Sequence, residues 1–128
     1  MLAPPNQGSE LIDKLGDNVA FRWAMGPTAI ELGTDPNSLP NRLPAVTFPR
    51  GVLASTRTMN PVGSSLLPGK DDGAVAVERM RVAGMSDFIQ LPHTHTFVMR
   101  SRAVAEPAIH FLSNGSFRRE ALAPDSPR

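Results

Sequence analysis

Residues 71–97 read DDGAVAVERMRVAGMSDFIQLPHTHTF. The stretch opens on an Asp-Gly turn, passes through a short apolar run, Asp87 to Leu91, and ends with two histidines two positions apart. A run of four to eight apolar residues bounded by turn residues reads as a strand buried on both faces, stopped here by Pro92. Upstream, Val46 to Ser55 (VTFPRGVLAS) holds a second such run in Val52, Leu53 and Ala54. A buried helix fits that run on periodicity alone. Downstream, Val104, Ala108, Phe111 and Leu112 recur at helical spacing after Ser101, with Gly115 as the stop. Pro107 within that pattern predicts a kink or a late start at Glu106.

The N-terminal part extends the same grammar. Met1-Leu2-Ala3 runs straight into the turn sequence Pro4-Pro5-Asn6-Gln7-Gly8 and reads as the last residues of a strand. Ser9 is placed to cap a helix carrying Leu11, Ile12 and Leu15 and closed by Gly16. A second short helical stretch holds Val19, Phe21, Trp23 and Met25; for Phe21, Trp23 and Met25 core packing is the plainer reading and contact with an acyl chain the functional one. Thr28-Ala29-Ile30-Glu31 has the form of a capping box, with Gly33 as its stop. Residues 9–33 thus read as a helical, cap-like region. Seven prolines from Pro27 to Pro68 leave no room for a long helix after about Gly33. The order is strand, helices, strand, loop, strand, helix: an α/β chain whose parallel strands need neighbours. Residues 118–128 read as a disordered tail, with Ala121 to Arg128 polar and proline-punctuated.

Composition narrows the function. The chain has 128 residues, 13 basic and 12 acidic side chains, six Phe, one Trp and no Tyr or Cys. Zero cysteine excludes a disulfide scaffold, a zinc-thiolate site and a thiol nucleophile. A net charge of +1 removes the electrostatic case for nucleic acid as a partner. No apolar run approaches the roughly 20 residues that span a bilayer, and no basic stretch followed by an apolar one opens the chain. The expectations are therefore no integral membrane protein and a cytoplasmic location. No cofactor motif is present.

Two groups of residues carry chemistry. Asp71-Asp72-Gly73 is, in its plain reading, only a turn. In the functional reading one carboxylate, Asp72 ahead of Asp71, accepts a hydrogen bond from a histidine at the mouth of a site. His93 and His95 lie beyond the carboxyl end of a strand, where open α/β sheets bind ligands. A solvated loop histidine, a general base, and a His-x-His metal site all fit that position. His110 is the only further histidine, which leaves a metal short of three or four ligands.

DDGAVAVERMRVAGMSDFIQLPHTHTFVMRSRAVAEPAIHFLSNG resembles the C-terminal end of α/β-hydrolase-fold lipases and esterases, with their acid turn, strand, histidine loop and closing helix. PPNQGSE is similar to the stretch those proteins carry after the strand that follows the nucleophile, and GVLASTRTMNP to the strand leading to the acid. The resemblance covers about residues 1–117. It implies an incomplete α/β-hydrolase fold, parallel strands with flanking helices, in which Asp72 matches the triad acid and His95 the triad base. Thr94-His95-Thr96-Phe97 is the stretch that aligns with the family's histidine motif, which favours His95 over His93.

In this fold the triad order is nucleophile, acid, histidine. No Gly-x-Ser-x-Gly elbow occurs in the sequence, and Ser9, Ser55, Ser64 and Ser65 read as ordinary cap or loop residues. The resemblance thus implies the C-terminal part of a serine ester hydrolase, acting on a small-molecule or lipid ester in the complete enzyme. By itself the chain is expected to be poorly folded and inactive, its missing N-terminal half being the implied partner. The competing reading is a non-catalytic α/β module that docks onto a partner chain.

Overall fold

The computed structural model describes residues 1–119. Its elements are α1 (Glu10–Leu15), α2 (Val19–Met25), α3 (Pro27–Ile30), α4 (Leu39–Arg42), β1 (Gly51–Arg57), α5 (Pro61–Ser65), β2 (Asp87–Thr94) and α6 (Arg102–Asn114), with 3-10 turns at Val77–Met80 and Val98–Arg100. The architecture is mixed α/β around a parallel pair of strands. β1 and β2 pair from Gly51 opposite Asp87 to Ser55 opposite Leu91, then slip so that Arg57 meets Thr94.

The apolar run in β1 forms a strand because both of its faces are covered. Val52, Leu53 and Ala54 are almost wholly buried, and Val75, Val77, Met80, Leu91, Val98, Val104 and Phe117 complete the same core. Met1 to Ala3 joins the other side of β1. Leu2 forms a parallel bridge to Leu53, with Leu53 N–H donating to Met1 O at 2.9 Å and Ala3 N–H to Leu53 O at 2.8 Å. The reading of these residues as strand-like matches that arrangement.

β2 continues through Pro92 to Thr94 rather than stopping at Leu91. The irregular register after Ser55 absorbs the proline, whose missing donor is tolerated at a bulge. α6 likewise begins at Arg102, with Pro107 inside it and no late start at Glu106. Gly115 ends it in the left-handed region, and Phe117 folds back so that its ring lies 4.9 Å from that of Phe111. Asp87, at the head of β2, receives Phe117 N–H at 2.8 Å and pairs with Arg119. Residues 120–128 of the expected tail lie outside the described residues.

α1 and α2 form where expected. Ser9 Oγ accepts Leu11 N–H at 3.2 Å and Asn18 Oδ1 accepts Phe21 N–H at 3.0 Å. The Thr28 capping box does not form, because Pro27 already occupies the first turn of α3 and Gly26 precedes it without a side-chain cap. α2 contributes no buried residue; Val19, Trp23 and Met25 are exposed, Trp23 to 89%. The core-packing reading is therefore corrected for Trp23 and Met25, while Phe21 is half-buried; the helix is about two turns long and packs against α3 without burying a side chain. No helix among the described residues is long and apolar enough to cross a membrane.

Candidate active site

Asp72 follows β1 and His95 follows β2 directly, so two adjacent parallel strands deliver them to one end of the sheet. His95 Nδ1 and Asp72 Oδ2 stand 2.8 Å apart. The Asp72 side chain is fully buried and the His95 ring is 40% exposed. The Asp-Gly turn and the site are thus the same feature rather than alternatives.

The acid loop is rigidly built. Val77 N–H donates to Lys70 O at 2.8 Å, closing the loop at its base, and Asp71 bridges Ala76. Inside it, Asp72 Oδ1 accepts the backbone N–H groups of Ala74 at 3.1 Å and Val75 at 2.9 Å. Ser9 Oγ donates to Ala74 O at 2.6 Å, so the cap of α1 also braces the loop. Asp71 faces elsewhere, and its carboxylate receives Gly73 N–H at 2.7 Å and Ser64 Oγ–H at 2.6 Å. The two neighbouring aspartates are separated in role by the direction in which the turn points them.

Gly73 is required by that turn. Its φ is +90°, and a Cβ built on it would lie 2.6 Å from Thr58 Oγ1. Gly73→Ala is expected to destabilise the chain by about 1–3 kcal/mol through backbone strain, read as a fall in thermal midpoint against wild type.

Burial pushes the Asp72 carboxyl up, but hydrogen bonds from His95 and Ser55, the His95 charge and the Val75 N–H outweigh it, and the group sits below its ordinary value. The hydrogen bond to Asp72 holds His95 above the ordinary imidazole value, against burial and with the help of the Asp72 charge. An ionised carboxylate only accepts hydrogen bonds, so in the neutral ring the proton belongs on Nδ1 and Nε2 carries the lone pair. That is the tautomer a general base needs.

The other candidates do not converge here. His93 Nε2 lies 3.2 Å from Ser101 Oγ, and His110 Nδ1 donates to Ser116 O at 2.8 Å. Among the described residues no three His, Cys, Asp or Glu side chains gather as a metal site. Nor, among the described residues, does a serine sit on His95. Ser9 holds Ala74, Ser64 holds Asp71, and Ser65 Oγ donates to Val62 O at 2.7 Å. Ser55 is no loop residue: it is a wholly buried strand residue whose hydroxyl donates to Asp72 Oδ2. Its sequence signal was a hydroxyl closing the run Val52-Leu53-Ala54, where a buried polar group demands a partner.

Comparison with protein-family models, with curated proteins and with solved structures finds no match to this chain.

Proposed function

We propose that His95 and Asp72 are the acid–base half of a serine ester hydrolase of α/β-hydrolase type, acting on a nucleophile that residues 1–128 do not contain. The observation that carries this reading is the 2.8 Å contact between His95 Nδ1 and a fully buried Asp72, made beyond the carboxyl ends of neighbouring parallel strands. The order acid then histidine agrees with the fold's triad. In the reaction His95 Nε2 takes the proton of the attacking hydroxyl as it bonds to the ester carbonyl carbon. The imidazolium, stabilised by Asp72, then returns that proton to the leaving alkoxide. A second cycle with water frees the acid.

Purified chain is expected to hydrolyse p-nitrophenyl butyrate no faster than its His95→Ala variant and to take up no fluorophosphonate adduct by mass spectrometry. Produced with the coding sequence that lies 5′ of its first codon in the native transcript, it is expected to gain one adduct on a Gly-x-Ser-x-Gly serine. Ester turnover is then expected to vanish in His95→Ala. An adduct on a serine within residues 1–128, or a longer product without that pentapeptide, overturns the proposal.

The reading as a docking module rests on a different observation, the exposure of Val19, Trp23 and Met25 on α2. Under it the longer product carries no nucleophile and His95→Ala leaves partner binding unchanged.

A further inference from the structure

We infer that Ser55 is a positioning residue for the His95–Asp72 pair, setting the plane of the Asp72 carboxylate through a hydrogen bond to the oxygen that His95 uses. The inference rests on the acid–base reading above and adds a third member to it.

Both Ser55 Oγ and His95 Nδ1 meet Asp72 Oδ2, while Oδ1 is taken by the N–H groups of Ala74 and Val75. Two donors on Oδ1 hold one end of the carboxylate, but coupled rotation about χ1 and χ2 still lets the group pivot on that oxygen. Turning swings Oδ2 away from the imidazole. Of the two groups on Oδ2, His95 is the poorer anchor, since its side chain is 40% exposed and follows the end of β2. Ser55 is the better one: it is wholly buried, lies within β1 and pairs opposite Leu91. The strand therefore fixes the hydroxyl, the hydroxyl fixes Oδ2, and Oδ2 fixes the ring. The neighbouring carboxylate and imidazole are otherwise engaged: Asp71 faces Ser64 and the Gly73 N–H, and His93 faces Ser101.

A serine that merely filled space, or merely satisfied Asp72, predicts a different result from one that orients it. Losing a pure charge-withdrawing donor leaves more negative charge on Oδ2 and raises the His95 pKa. Losing an orienting donor loosens the pair and lowers it. The experiment is a proton and nitrogen NMR titration of the full chain, with His95→Gln assigning the ring signals. In wild type the Nδ1 proton is expected as a resolved downfield signal. In folded Ser55→Ala that signal is expected to be lost to exchange, with the His95 pKa falling back toward about 6.5.

Ser55→Thr, which keeps a hydroxyl on the same Cβ, is expected to restore both readings. Should Ser55→Ala or Ser55→Thr not fold, as judged from its amide spectrum, Ser55→Cys carries the comparison. Its weakly donating thiol is then expected to give a His95 pKa below that of wild type. A folded Ser55→Ala with the signal retained, or any folded hydroxyl-free variant whose His95 pKa equals or exceeds that of wild type, overturns the inference and leaves the acid–base pair standing. A wild-type chain without the signal and with an ordinary His95 pKa overturns the pair itself, and the role of Ser55 with it.

Discussion

Met80→Ala is expected to remove a large fraction of the chain's stability at 25 °C. Met80 is the largest of the fully buried side chains, and it sits at the end of a 3-10 turn under β1. Its backbone is needed too, for Asn6 Nδ2 donates to Met80 O at 2.7 Å and ties the opening turn to the core. Truncating a buried methionine to alanine removes transfer energy and leaves a cavity, together about 2–5 kcal/mol. Domains this small are stable by only about 5–15 kcal/mol, and the core here is thin: most of its members are Ala, Val and Leu, with Phe117 the one aromatic among its buried, described residues. Urea unfolding followed by far-ultraviolet circular dichroism measures the loss. Met99→Ala is the control, since Met99 is exposed, and its stability is expected to stay within about 0.5 kcal/mol of wild type. Equal midpoints for the two variants would exclude this packing.

Under the proposed function, Asp72→Asn is expected to abolish catalysis by His95 while leaving the loop in place. The amide keeps an oxygen for the Ala74 and Val75 N–H groups, but it turns an N–H₂ donor toward the ring and so favours a proton on Nε2, the wrong tautomer. The same change in a serine protease lowers kcat about 10⁴-fold, and a loss of that order is expected in the nucleophile-bearing product. The pH dependence of stability supplies a check that needs no activity. His95 lies above its ordinary value when folded, so its contribution is full below about pH 6.5 and fades as pH rises through the folded value. Asp72 lies below its ordinary value when folded, so its contribution is full above about pH 3.9 and fades as pH falls through the folded value. The stability gap between wild type and Asp72→Asn is therefore expected to be widest at about pH 4–6.5. It narrows on the alkaline side as the imidazolium is lost. A gap that widens above pH 8 would show that the pair is not the source.

Much of this arrangement was legible in the residues themselves. Val52-Leu53-Ala54 announced a strand because continuous burial leaves nothing polar to alternate, and Asp72 and His95 stood out as an acid turn and a histidine past the end of a strand. What misled was local signal overruled by neighbours. Pro92 read as a stop and Pro107 as a kink or a late start. Yet a proline removes only its own donor, and β2 at its bulge and α6 in its interior both continue past it. Thr28 read as a cap, but Pro27 had already started the turn. Ser55 and Phe117 were missed for one reason. Each owes its role to a partner distant in sequence, Asp72 17 positions on and Asp87 30 positions back, and no window of periodicity spans such a gap. Trp23 erred the other way: hydrophobicity placed it inside, while the helix carrying it packs against α3 and leaves the indole outside.

That last feature has a spectroscopic consequence. Trp23 is the chain's one tryptophan and its indole is nearly as accessible in the folded state as in an unfolded one. Its emission is expected to be water-like from the outset and fully open to a neutral quencher such as acrylamide. It is expected to change little as the β1–β2 core melts. Intrinsic fluorescence would then report the surroundings of α2 alone. A blue shift on adding another molecule would mark that helix becoming covered, not the protein becoming folded.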